Sequence, residues 1–215
     1  MVCLSTLGFS QNVEKEVGTF SELKVFDLIA VKLIPSDVNK VLITGKNTEE
    51  VKIINDNGAL KIRMELNKRF DGAATFIEIH FSGVSIIDAN EGASISSTAA
   101  IKNASLELKT QEGGKIDIVS ETDVLNIKAV SGGIVNVKGK TNSQDVTINS
   151  GGIYEAEGLK SVVTTVTVTA GGSAVVFATD KVDAKVTAGG TVTIHGNPKD
   201  VKKKKFAGGN IKVID

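Results

Sequence analysis

Pairs of small residues recur through the second half of this chain at a nearly constant interval, and that interval constrains the fold more than any other feature. The pairs are Gly113-Gly114, Gly132-Gly133, Gly151-Gly152, Gly171-Gly172, Gly189-Gly190 and Gly208-Gly209, with Gly92-Ala93 ahead of them. Their spacings are 21, 19, 19, 20, 18 and 19 residues. A period in this range belongs to solenoids, propellers and other arrays.

The residues around each pair choose among these. With the first glycine as origin, the third position reads Ile116, Val135, Tyr154, Ala174, Val192, Ile211. The fifth reads Ile118, Val137, Ala156, Val176, Ile194, Val213. Five positions before it stand Leu108, Ile127, Val146, Val166 and Ala184. A period of two means strands with one buried face. Each unit reads as strand, tight corner, strand and a variable loop such as Ser120-Glu121-Thr122-Asp123 or Lys138-Gly139-Lys140-Thr141. A propeller blade needs about 40 residues and a leucine-rich repeat a fixed Leu/Asn pattern. The expected fold is therefore all-β: a parallel, right-handed β-helix or solenoid with coils stacked about 4.8 Å apart. The glycine pairs are its structural corners, where positive φ carries no Cβ clash.

Residues 86–215 form this solenoid in our reading. Residues 17–85 are less regular, with alternating runs at Val41-Ile43, Val51-Ile53, Leu60-Ile62-Met64 and Ile77-Ile79-Phe81. Asp56-Asn57-Gly58 between two runs signals a hairpin turn. This part reads as irregular rungs or a small sheet capping the open end of the stack. Residues 1–16 read as a signal-peptide remnant or a disordered terminus. Gly8-Phe9-Ser10 resembles a small-x-small cleavage site, although no basic stretch precedes it. Past it, no apolar run is long enough for a transmembrane helix.

Composition excludes several function classes. The chain has 25 basic and 25 acidic residues, so it lacks the basic excess of a nucleic-acid binder. Cys3 is the only cysteine, which rules out an internal disulfide or a multi-cysteine metal site. Arg63 and Arg69 are the only arginines, and the aromatics are eight Phe and Tyr154. Calcium-binding turns of the Gly-Gly-x-Gly-x-Asp type are not matched, because the third Gly is missing and Asp117 does not recur. No metal or cofactor is expected.

Taken together, these features resemble the head GIN domain family of auto-transporter adhesins, common in Bacteroidetes-type bacteria. The resemblance is carried by the corners Ser131-Gly132-Gly133, Ser150-Gly151-Gly152, Ala170-Gly171-Gly172 and Ala188-Gly189-Gly190. The ending carries it further, with Val192-Thr193-Ile194-His195-Gly196-Asn197-Pro198, a lysine run, and Gly208-Gly209-Asn210-Ile211. Phe26-Asp27 and Gly58-Ala59-Leu60-Lys61-Ile62 are also similar. The chain departs from the family in having Gly-Gly where Gly-Ser-Gly is frequent, and His195 where an aromatic is usual. The resemblance spans roughly residues 20–215. It implies export, a two-part β-solenoid and adhesion, without catalytic residues.

Three groups of outward residues are candidate sites. At the fourth position stand Asp117, Asn136, Glu155, Val175, Thr193 and Lys212. Asp117 and Glu155 would lie two coils apart, about 9.6 Å by strand spacing, within the range of an inverting glycosidase pair. This is the enzyme alternative; solvated carboxylates on a polar face are the other reading. The sixth position brings Phe177, His195 and Ile214 beside Val175 as an outer apolar patch, read as a partner or self-association surface. A covering loop would serve the same residues. Lys202-Lys203-Lys204-Lys205 reads chiefly as protection of a terminal edge strand, and secondarily as contact with acidic polymer or lipid heads. His80 sits in an alternating strand and reads as structural. The expectation is thus an exported, non-enzymatic adhesin-like or scaffold protein. It would sit in the periplasm, on the outer-membrane surface or outside the cell. Its partner would be a surface polymer, a protein or a second copy.

Overall fold

The computed structural model describes residues 12–214. The segment 1–11, with the expected signal remnant and Cys3, lies outside the described residues. The N-terminal part contains strands β1 (Val13–Glu16), β2 (Glu22–Val25), β3 (Ala30–Pro35), β4 (Lys40–Gly45), β5 (Val51–Asp56), β6 (Ala59–Met64), β7 (Thr75–Phe81) and β8 (Ile86–Ala89). Then come β9 (Ser94–Thr110), β10 (Lys115–Ala129), β11 (Ile134–Asn149), β12 (Ile153–Glu155) and β13 (Leu159–Thr169). The last are β14 (Ser173–Phe177), β15 (Lys181–Thr187), β16 (Thr191–His195), β17 (Asp200–Phe206) and β18 (Asn210–Val213). All 18 strands belong to one hydrogen-bonded sheet. It winds into a parallel β-solenoid of about 7 turns.

The inner rows follow the period of two. Ile116, Val135, Tyr154, Ala174, Val192 and Ile211 are successive Cα partners and all are buried. So are Leu108, Ile127, Val146, Val166 and Ala184. Each large aliphatic side chain so enclosed contributes about 1.5–3 kcal/mol of transfer free energy. The fifth-position row differs at its end: Val213 is 36% exposed, whereas Ile194, its register partner, is buried.

The glycine corners use two geometries. At Gly113, Gly132 and Gly151 the first glycine and the residue before it (Glu112, Ser131, Ser150) have positive φ. The second glycine of these pairs does not. Gly114, Gly133 and Gly152 instead donate to Gln111, Val130 and Asn149 carbonyls at 2.9, 2.9 and 3.1 Å, closing the turn. They are glycines for lack of space: a Cβ on Gly114 would lie 2.1 Å from the Ala89 carbonyl oxygen, and on Gly152 2.2 Å from that of Ala129. At Gly171-Gly172, Gly189-Gly190 and Gly208-Gly209 both glycines and the preceding alanine have positive φ.

The segments expected as variable loops are part of the strands. Thr122 pairs with Thr141 and Ser120 with Gly139 inside β10 and β11, which bend without breaking. Their two coils match in length, so the parallel ladder runs through the bend. Where lengths differ, the ladder adjusts at this same bend. Thr98 and Ala99 form a bulge in β9, which accounts for the spacing of 21. Asn136 pairs with Glu155 but Gly139 with Leu159, so one extra residue separates β12 from β13.

The interior of this bend is polar. Tyr154 is fully buried, with its hydroxyl donating to Gln144 Oε1 at 2.8 Å. Gln144 Nε2 donates to Ser161 Oγ at 3.1 Å, Thr164 Oγ1 at 3.0 Å and the Phe177 carbonyl at 3.1 Å. Ser161 also donates to that carbonyl. Tyr154 fits an aliphatic row because its neighbours Ala174 and Ala156 are small. Burial pushes its hydroxyl well above the usual tyrosine range.

The N-terminal strands join the same stack, out of sequence order. β2 pairs in parallel with both β6 and β8, and β3 with both β7 and β9. The β2–β3 rung is thus inserted between two rungs that follow it in the chain. β4 runs antiparallel to β7 and to β1, and β5 antiparallel to β6, so antiparallel strands of the same sheet flank the β6–β7 rung at this end. Asn57 and Gly58 have positive φ in the β5–β6 hairpin, as its turn signal predicts. Buried Asp27 fixes the inserted rung. Its carboxylate accepts from Met64 N at 3.0 Å and Phe70 N at 3.2 Å.

Candidate binding face

One outer side of the solenoid is an unbroken ladder. In register it carries Glu78, Lys32, Ser96, Asp117, Asn136, Glu155, Val175, Thr193 and Lys212. These positions alternate with the buried rows, so their outward direction follows from the same period that builds the core. The sequence placed Asp117, Asn136, Glu155 and Val175 on one column, and the parallel register puts them there.

Asp117 and Glu155 flank Asn136 in a shallow groove of about 300 Å³, with Lys138, Glu157 and Gly158 beside them. Burial, and then the neighbouring Glu157 carboxylate, raise the Glu155 pKa above the ordinary glutamate value. Glu155 therefore holds a proton more readily than a free glutamate, which is the property of a general acid. Among the described residues, Lys138 is the only cation lining this groove.

The apolar group also comes together. Phe177 pairs with His195, and Ile214 N donates to the Ile194 carbonyl at 2.9 Å, which places Ile214 next in that column. Val175 lies two residues before Phe177 on the same face. Val175, Phe177 and His195 are half-buried, whereas Ile214 is 44% exposed. Phe177 lies over Gly196, where a Cβ would meet its ring at 2.8 Å. Glu157 Oε1 approaches His195 Nδ1 at 3.9 Å.

A further concavity escaped the sequence reading. Phe76, 54% exposed, walls a groove of about 500 Å³ at the N-terminal end of the ladder. Its register partner Ala30 and the adjacent Ser94 form the floor, and Lys32, Glu78 and Ser96 continue it. The available signal was phase: Phe76 is the large apolar residue out of step with Ile77, Ile79 and Phe81. Among the described residues, no group of three or more potential metal ligands converges. No helix among them is long and apolar enough to cross a membrane.

Fold and face together define a parallel β-solenoid repeat protein with a continuous outer ladder. The chain belongs to the family described as putative auto-transporter adhesin, head GIN domain, whose model matches residues 19–198. Solved structures share the fold. A putative adhesin from Bacteroides fragilis is 17% identical over 96% of this chain and 98% of its own, with a TM-score of 0.88. One from Parabacteroides distasonis is 21% identical over 97% and 98%, with a TM-score of 0.74. One from Parabacteroides merdae is 16% identical over 97% and 98%, with a TM-score of 0.73. No curated protein matches the chain.

Proposed function

We propose that this chain is a non-enzymatic adhesin-like or scaffold protein of the cell envelope, exported to the periplasm, the outer-membrane surface or beyond. It binds a surface polymer or a protein partner along its outer ladder. The observation that carries this reading is the ladder itself. Side chains repeat at strand spacing, about 4.8 Å, on a rigid support, so many weak contacts add along an extended partner. The Phe76 groove supplies a stacking surface at one end, and the Val175, Phe177, His195 and Ile214 column supplies an apolar contact for a protein or a second copy at the other. Family membership supports both export and adhesion.

The test is an array of glycans and envelope proteins probed with the full chain. Saturable binding that weakens in Phe76→Ser or Ile214→Asp is expected. Absence of saturable binding to every component would refute the reading.

The Asp117–Glu155 groove supports a second reading, a polysaccharide-cleaving enzyme with Glu155 as acid and Asp117 as base. New reducing ends from a uronate or neutral glycan, lost in Glu155→Gln and Asp117→Asn, would establish it. Activity that survives both exchanges would eliminate that mechanism.

A further inference from the structure

We propose that the C-terminal end of the solenoid is a docking plate for an anionic phospholipid surface. This goes beyond the adhesin reading and stands on the last coil alone. Residues 196–215 contain six lysines (Lys199, Lys202, Lys203, Lys204, Lys205, Lys212) and two acids, Asp200 and Asp215, a net charge of +4. Because the whole chain balances 25 basic against 25 acidic residues, everything before residue 196 sums to −4. The charge is thus segregated to one end of a neutral molecule. Among the described residues, only Lys199 of the six has a carboxylate within 4.0 Å, Asp180 at 2.9 Å.

The direction of these lysines follows from register. Lys203 and Lys205 pair with Ala184 and Val186, which are buried core positions. Both lysines are exposed, so their stems run past the last rung and present ammonium groups along the solenoid axis. Lys202 and Lys204 occupy the alternate, outward positions. Phe206, 72% exposed, closes the same strand, and Val213 adds apolar surface from β18. The end is therefore a plate of cations with an aromatic at its rim.

That combination selects the partner. A second copy meeting this end would oppose lysine to lysine, which disfavours edge pairing. A hydrophilic acidic polymer would engage the ammonium groups but leave Phe206 in water. An anionic bilayer surface offers phosphates to the lysines and an interfacial layer for the ring.

The full chain is mixed with vesicles of phosphatidylglycerol plus phosphatidylcholine, or of phosphatidylcholine alone, and sedimented. Binding is expected only with phosphatidylglycerol and lost at about 0.5 M salt, where charges are screened within a few ångströms. Lys203→Gln and Lys205→Gln should each weaken it about fivefold, and Phe206→Ser should weaken it while the salt dependence persists. Lys128→Gln, in the middle of the solenoid, should change nothing. Equal binding to both vesicle types, or salt-insensitive binding by the unaltered chain, would overturn the proposal. So would soluble polygalacturonate bound as tightly as the vesicles, with Phe206→Ser without effect.

Discussion

Each coil bends at a glycine pair and again on the opposite side, and the two bends obey different rules. At the glycine bend, the neighbouring coil's backbone comes so close that a side chain has no room, as at Gly114 and Gly152. At the opposite bend, coils gain and lose residues. Glu155 pairs with Val175, 20 residues on, whereas Val163 pairs with Lys181, only 18 on. Phe177 pairs with His195, 18 on, and Lys181 with Asp200, 19 on. The spacing irregularities are therefore absorbed at one bend, where buried hydroxyls and an amide replace strict backbone repetition. Backbone-to-backbone fit fixes one corner; adaptable side-chain hydrogen bonds permit variation at the other.

The largest effect that sharpens this contrast is expected from Gly152→Val. Its Cβ would sit 2.2 Å from the Ala129 carbonyl oxygen, and relief requires the coils to part. We expect at least about 3 kcal/mol of lost stability in urea unfolding; an unchanged midpoint would break the steric account. Gln144→Ala comes next, at about 2–3 kcal/mol, because it strands the Tyr154 hydroxyl in the core. A loss no greater than that of a surface exchange would show that water fills the gap. Gly151→Ala has open space but a φ of +76°, so only conformational strain remains, about 1 kcal/mol. If it matched Gly152→Val, crowding would not be the distinguishing term. One Ser inserted after Asn197, at the variable bend, should cost under about 0.5 kcal/mol. A cooperative unfolding midpoint near that of the parent chain would confirm tolerance, and loss of cooperativity would erase the comparison.

Much of this architecture was legible because its signals are local. Ile116, Ile118 and the residues equivalent to them announce a buried face through alternation alone, and Asn57-Gly58 announces its turn. The columns of Asp117 and Phe177 were legible for the same reason, since counting from each glycine pair aligns outward residues as surely as inward ones. What was hidden depends on distant pairing. Nothing near Glu22 indicates that it pairs with Ile86, 64 residues away, and so Ala30 could not be placed under Phe76. Gln144 stands in register with Leu125 and Thr164, and only the three-dimensional neighbourhood shows why a polar residue belongs in that row. Val213 was expected inside from its place in the repeat, yet it is 36% exposed.

The inserted β2–β3 rung has a consequence for how the molecule comes into being. A chain emerging amino end first releases these strands early, yet both of their edges stay unpaired until β6 through β9 have followed. Residues 22–35 thus become an internal rung near the amino-terminal end of the stack, and both of its neighbours are supplied by later parts of the chain. Loss of residues 20–35 would remove an internal storey, leaving β6–β7 and β8–β9 facing each other across a gap.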